Sequence, residues 1–575
     1  MKLRVLKVLT FPILILLPFI QSYFSSCAYS STASDSTTWV HSIDLLQLEV
    51  QREKTKFTLT NSSTAVAHWE FKILRADNGK VVQTSTHANP SFSLPIGTYD
   101  VLVTATGKNI LTRHYRRYIT VLPKVFSERD ADEVIDLSKV KTNSLIKDFG
   151  NKVRPGYKIV IKGAFKGRVR FTGLRGTKKK PVHIINKGQV SIHAENNSSP
   201  YAFQWSDDNQ YILLDGKADP EIPYGFVVTG HPEKSGQIFF VAGVFNKGFE
   251  MCGFHLIGRQ GQTHGASAIQ VQTAYTKECN AENWNFEYFK AHHNKIENAS
   301  SEGMYIGYFT DEVRDTGFVP FRMGQVLVYR DSILNSGWDG IQIASADEFE
   351  VHDNYVDGAS LSGKRSHSSF FSWNSGNAKG WCYRNTFKNA ATAISLFYGE
   401  TGKEAYIYSN LFVEGTYPEI ITSVNFFFSK INNEFQDPLL YIFNNTIITS
   451  RIPVKIDYRN QKPDAPMPVI FAGNAIVLNR INKKKYPDIA FGSNLTDSAS
   501  WTVNNVWRMK EQEHELKWTE DFYPQSDSPL LGSDFTISKY MKEIRGGFYD
   551  RDGYPLFHDK YGYTYGCYSA YQRDK

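Results

Sequence analysis

The sequence predicts an all-β protein, a right-handed parallel β-helix preceded by a small immunoglobulin-like β-sandwich. Three observations lead there. Phe and Tyr are abundant, at 39 and 32 of 575 residues, while charged residues make up only 21%, a balance that suits strands better than helical bundles. Long amphipathic helical stretches are few, and glycine-punctuated apolar runs stand in their place. One short pattern also recurs through the middle of the chain, as a stacked-repeat architecture requires.

The repeat is visible in HNKIENASSEGMYIGY, RDSILNSGWDGIQIAS, DNYVDGAS and RNTFKNAATAISLF, with echoes in YSNLFVEG, NNTIITS and GNAIVLN. Each unit places an Asn or Asp before a large apolar residue, then a small residue, a turn and a second apolar strand. Aligned this way, Ile296, Ile333, Val356 and Phe387 share one interior column. A single coil cannot bury its inward face alone, so stacking on the next completes both ladder and core. Loops of different length leaving one side of the coil explain the uneven spacing.

Upstream, VRPGYKIVIKGAFKGRVRF and KKPVHIINKGQVSIHA read as short strands parted by glycines, with no helix long enough for βαβ units. Residues 130–575 are therefore assigned to the β-helix and a capping C-terminal segment. Residues 40–123 alternate apolar and polar positions in short runs such as Trp69 to Leu74 and Tyr99 to Thr104. Turn signals at Asp77-Asn78-Gly79 and Pro95-Ile96-Gly97 give this stretch the spacing of a small sandwich.

Residues 1–27 read as a secretory signal. Lys2, Arg4 and Lys7 precede an apolar run from Val8 to Ile20 that Pro12 and Pro18 interrupt, shorter than the roughly 20 residues of a spanning helix. Cys27 follows Phe24-Ser25-Ser26, which looks like a loose bacterial lipobox. Lipidation of Cys27 and simple cleavage after Ala28 both stay open. Either route gives an exported protein, secreted, periplasmic or on the cell surface, touching membrane only through such an anchor. The remaining Cys252, Cys279, Cys382 and Cys567 are too sparse for a disulfide framework.

Against 58 acidic residues stand 65 basic ones, a net charge of +7, which favours a polyanionic partner through long-range attraction. No zinc-finger or recognition-helix pattern accompanies the basic residues, so nucleic acid is not an expected partner. A P-loop, a dinucleotide fingerprint, a zincin motif and a nucleophile elbow are all missing from the sequence.

The segments HWEFKILRADNGKVV and NPSFSLPIGTYDVLVTA resemble the PKD family of immunoglobulin-like modules, which implies a spacer or binding module. The opening of the β-helix resembles pectate-lyase-like proteins, including the polysaccharide lyase family that holds chondroitinase B and some alginate lyases. Cys567 to Tyr571 occupy the place of the glycine, small residue, Ala-Tyr ending of many bacterial β-helix proteins. This resemblance spans 130–575. It implies a polysaccharide substrate and a site on the outer surface of one sheet, flanked by long loops. That family's metal set and its Lys and Arg pair do not align here, so none of its residues is carried over.

Six residues beyond the aligned Ile296 and Ile333 stand Glu302 and Asp339, each followed by glycine. Coils stack about 4.8 Å apart, so the two carboxylates fall near the separation of a retaining glycosidase pair, and the same cluster suits Ca²⁺. Close carboxylates also raise one pKa, which supplies an acid near neutral pH. The competing reading makes both of them ordinary turn residues. Tyr305 and Gln342 alternate outward beside them as substrate contacts. His293 and Arg330 share a column three residues before the isoleucines and offer cations to an acidic sugar. Asn298 and Asn335, also in register, read as a structural amide ladder. The polar stretch SLSGKRSHSSFFSWNSGNAKGW adds Lys364, Arg365 and His367 as cations or base, with Trp373 as a stacking platform.

The expectation is a polysaccharide lyase acting on a uronate-containing glycan. Glu302 and Asp339 would bind Ca²⁺ or the substrate carboxyl, and Arg330, Lys364 or His367 would be the base. A glycoside hydrolase using Glu302 and Asp339 is the first alternative, and a non-catalytic glycan-binding or adhesive protein the second.

Overall fold

The computed structural model describes residues 50–509 with internal gaps, the longest being 414–424, 429–439, 459–468 and 479–500, together with 557–558 and 562–563. The signal segment, Cys27, Lys364, Arg365 and the ending at Cys567 to Tyr571 lie outside the described residues.

The described chain is almost wholly β, and most of it forms a parallel β-helix. From Lys158–Lys166 onward, strands pair in parallel with their counterparts in the next coil. One face stacks Lys247–Cys252, Phe286–His292, Met323–Tyr329, Ala346–His352, Lys379–Tyr383 and Glu404–Tyr408. A second stacks the short strands Phe254–Ile257, Lys295–Glu297, Ser332–Leu334, Tyr355–Asp357 and Thr386–Lys388. The third is a nine-stranded sheet that includes Arg168–Thr172, Phe203–Trp205, Phe239–Val241, Ile269–Val271, Met304–Ile306, Ile341–Ile343 and Ser369–Trp373. Crossovers between parallel strands of one sheet are right-handed. Ile296, Ile333, Val356 and Phe387 do form one buried column, and Phe412 and Ile447 extend it.

The recurring Asn of the sequence pattern has a physical task. The residue before it takes a left-handed conformation, with φ between 50° and 55° at His293, Arg330, Asp353, Arg384, Ser409 and Asn444, and so turns the chain from the first face to the second. Each following Asn is buried and joins the coils. Asn354, Asn385, Asn410 and Asn445 accept from the preceding rung's amide and donate to a carbonyl of the preceding coil, at 2.8–3.0 Å. This closes the backbone at a buried corner, where an open amide is costly.

Asp331 stands in one rung where its neighbours have Asn. Its Oδ1 accepts from the Asn294 amide at 2.7 Å, but its Oδ2 is buried without a partner where an Asn would donate. Burial pushes this carboxyl up to about 8, against the two bonds from Asn294. The folded state therefore holds a proton that the unfolded chain releases near pH 4. Stability from this group is complete below pH 4, declines as pH rises, and is gone above about 8. Asp331→Asn is expected to gain about 1–3 kcal/mol at pH 7.5 and to flatten that decline. Urea melts across pH 4–8 check it, and equal slopes in wild type and variant would refute it.

Ahead of the helix, a five-stranded sheet in the order Val50–Arg52, Thr112–Leu122, Gly97–Gly107, Val66–Arg75, Val81–Ser85 faces the pair Phe57–Thr58 and Ser91–Phe92. Trp69, Phe71, Ile73, Tyr99, Val101 and Ile119 belong to its own core. This sandwich rests on the first face of the helix. There His292, Tyr329, His352, Tyr383 and Tyr408 stack at 4.7–5.1 Å. Tyr118 meets Tyr329 and His352 edge-on, and the hydroxyls of Thr120 and Tyr329 are 2.6 Å apart. Arg52 reaches the fully buried Asp215, which also bonds His183.

Candidate active site

Register places Ser267, Glu302, Asp339 and Ser369 in one column, two residues before Ile269, Met304, Ile341 and Phe371. The glycine after each carboxylate now has a reason. A Cβ on Gly303 would come 2.6 Å from Ile333 Cγ2, and one on Gly340 2.6 Å from Val356 Cγ1. These glycines face the packed bore, so Glu302 and Asp339 turn to the outside of the wall.

Both carboxylates are nonetheless covered, at 2% and 1% exposure. Ser267 Oγ donates to Glu302 Oε2 at 2.9 Å. The Ser369 amide and hydroxyl donate to Asp339 Oδ1 at 2.7 and 2.8 Å. The other two oxygens point to one imidazole. His367 Nδ1 lies 3.5 Å from Glu302 Oε1 and 3.4 Å from Asp339 Oδ2, within ion-pair reach but without hydrogen-bond geometry. All three atoms are buried and lack a hydrogen bond. Trp338 stacks on His367 with centroids 4.6 Å apart and planes at 21°.

The electrostatics follow from this enclosure. Burial raises the Glu302 carboxyl above its usual range and the Asp339 charge raises it further, while His367 pulls weakly the other way. The Glu302 carboxyl thus keeps its proton to higher pH than an exposed one, beside a second carboxylate and an imidazole. Ca²⁺ takes six to eight oxygens, whereas the uncommitted atoms here are two oxygens facing a nitrogen. Among the described residues no group of three or more His, Cys, Asp or Glu is placed to hold a metal ion.

Other residues singled out in the sequence fall elsewhere. Arg330 and His293 do share a column, but it is the left-handed corner between the first and second faces. The charges that act on Arg330 are Asp353 and Arg384, not Glu302 or Asp339. Arg330 is accordingly not brought to the carboxylates as a base. Burial and His292 push His293 well below its usual pKa, so it offers no cation. Asn335 Nδ2 donates to Asn298 Oδ1 at 3.3 Å, the amide ladder expected of that pair.

Tyr305 and Gln342 pair across adjacent strands on the outer column of the nine-stranded sheet. Tyr305 is half-buried, but Gln342 is 1% exposed, with Oε1 lacking a partner. Trp373 is not a platform. Ser369–Trp373 is a strand, Phe371 and Trp373 both alternate into the bore, and Trp373 packs on Phe349 at 4.3 Å. Ser369 and Trp338 were not recognised in the sequence as parts of the site. The signal was present, since aligning Phe371 with Ile341 brings Ser369 into the carboxylate column.

Fold and site together define an all-β parallel-helix protein with a buried acid–imidazole cluster on the outside of its wall. No family profile and no curated protein matches the sequence. Among solved structures, the chain is similar to the family 28 exopolygalacturonase of Yersinia enterocolitica, at 9% identity and a TM-score of 0.26, covering 80% of this chain and 97% of that one. A superposition this loose says nothing about chemistry.

Proposed function

We propose that this chain is an exported enzyme that degrades an acidic polysaccharide, with Glu302, Asp339 and His367 as its proton-transfer centre. The supporting observation is the convergence of Glu302 Oε1, Asp339 Oδ2 and His367 Nδ1, each buried and without a hydrogen bond. Most buried polar groups are satisfied, and unlike the lone open oxygen of Asp331, one open oxygen from each of two carboxylates here faces one imidazole nitrogen. Leaving one oxygen of each unsatisfied costs stability, and reactive groups are where such costs are retained.

Hydrolysis suits this arrangement best. Glu302 would protonate the leaving glycosidic oxygen while Asp339 attacks the anomeric carbon, with coil spacing near the roughly 5 Å of a retaining pair. Elimination is the second reading, favoured by His367. Its imidazole would take the C5 proton of a uronate as the C4–oxygen bond breaks, and Glu302 would protonate the departing oxygen. On the hydrolytic route substrate would displace His367 from the carboxylates, whereas on the elimination route the imidazole would stay beside them as the base.

Digests of polygalacturonate, alginate, chondroitin sulfate and a neutral glucan by the full chain test this. New reducing ends without ultraviolet absorbance from an unsaturated uronate indicate hydrolysis, and their joint appearance indicates elimination. Activity lost in EDTA and restored by Ca²⁺ would add an ion to the proposal. Intact polymers throughout, with equal retention by wild type and Glu302→Gln, would leave a binding protein in place of an enzyme.

A further inference from the structure

The outer column that carries Tyr305 continues away from the carboxylates. Followed back by register, it passes Gln270, Phe240 and Gln204 and reaches Arg170. Arg168 stands on the same face, two residues earlier in its strand. Its guanidinium lies 5.9 Å over the Tyr201 ring, and Tyr201 packs on Phe240 at 5.3 Å with planes at 30°. Both aromatic rings are only partly buried.

Arg168 is held by a neutral partner, and Arg170 shares a single long ion pair. Arg168 Nη2 donates to the side-chain Oε1 of Gln204, and Arg170 Nη2 to Ser206 Oγ at 2.8 Å. Both partners are uncharged. One carboxylate approaches: Asp207 Oδ2 lies 3.8 Å from Arg170 and also accepts from Ser206 Oγ at 3.4 Å, while its Oδ1 accepts from the Val244 amide. The Nε atoms of Arg168 and Arg170 are buried without partners. Burial lowers the Arg168 pKa and the Arg170 charge lowers it further, as expected of a guanidinium with a like charge beside it and no carboxylate of its own.

We infer that Arg168 and Arg170, with Tyr201 and Phe240, form a remote subsite for a carboxylate- or sulfate-bearing sugar. Guanidinium groups bind such anions through paired N–H donors, and aromatic faces accept the apolar side of a sugar ring. Four strand steps separate Arg168–Thr172 from Met304–Ile306, roughly 19 Å at the coil spacing. A single extended acidic chain would then lie along Gln204, Gln270 and Tyr305 between the two places. The occupant's identity as a polymer rests on the polysaccharide-degrading reading, but the anion-binding cluster does not.

The test is affinity electrophoresis of the full chain in gels containing polygalacturonate, dextran sulfate or neutral dextran. Arg168→Gln/Arg170→Gln is expected to weaken retention by about tenfold in whichever acidic gel binds wild type, and to change nothing in neutral dextran. Lys139→Gln/Lys178→Gln removes the same charge from exposed positions and should retain wild-type mobility shifts. Tyr201→Ala alters no charge and is expected to weaken retention about threefold. Retention in polygalacturonate alone identifies a carboxylate, and retention in dextran sulfate alone a sulfate. Arginine variants that bind as wild type, or no better or worse than the lysine control, overturn the subsite. Repeating the series in a Glu302→Gln background separates this from the catalytic proposal, since binding there is read without turnover. A melting temperature for each variant excludes unfolding as the cause of lost retention.

Discussion

Glu302→Gln is expected to lower kcat by about 10²- to 10⁴-fold on any polymer the wild type cleaves, with little change in KM. The amide keeps the Ser267 hydrogen bond but has no proton to give. Asp339→Asn should be comparably damaging. The pH profile carries more information than the loss. A carboxyl whose pKa is raised by burial and by Asp339 loses its proton as pH rises through that pKa, so in the proposed mechanism Glu302 would set the alkaline limb. His367 lowers that pKa, and His367→Asn should move the limb of the residual activity to higher pH. Relief of Asp339 repulsion in Asp339→Asn should move it to lower pH. Limbs that shift together, or not at all, would remove Glu302 from the role of acid. Stability should change in the opposite sense to activity, because replacing a buried carboxyl whose Oε1 has no partner relieves an unfavourable burial.

The second large effect concerns folding alone. Trp373→Ala is expected to cost about 3–5 kcal/mol in urea melts. The indole is 1% exposed and sits against Phe349 and Phe371 in the bore. Truncation leaves a cavity that strands of adjacent coils cannot close without breaking their ladder. Tyr305→Ala removes a ring of similar class from the outer column and should cost well under half as much, while weakening polymer retention. Equal losses at the two positions would mean that Trp373 is not a core residue.

That contrast shows what a sequence of this type makes legible. Stacking imposes one register on many coils, so Ile296, Ile333 and Val356 announced their column, and the same offset located Glu302 and Asp339. Register fixes which residues are neighbours along the helix axis. It does not say which wall a residue occupies. Arg330 and Asp339 belong to one repeat, yet Arg330 sits at the corner before the second face and Asp339 lies beyond a further left-handed residue, Asn335, and nothing in an Arg-Asp pair marks φ in advance. Trp373 was misread for another reason. A polar stretch surrounds it, and the strand Ser369–Trp373 is too short for alternation to stand out from its loop. His367 was recognised as one basic residue among several, and only the folded chain sets it over both carboxylates.

The seat of the sandwich has a consequence for the order in which the protein is made. Thr120 meets a partner 209 residues further along the chain, and Tyr118 waits for His352 as well. Synthesis proceeds from the N-terminus, and domains fold as they emerge. For much of translation, then, the sandwich stands complete with the Tyr118 side of its sheet uncovered. An unfinished chain is thereby distinguished from a finished one by an exposed aromatic patch, a mark that a chaperone or protease is able to read.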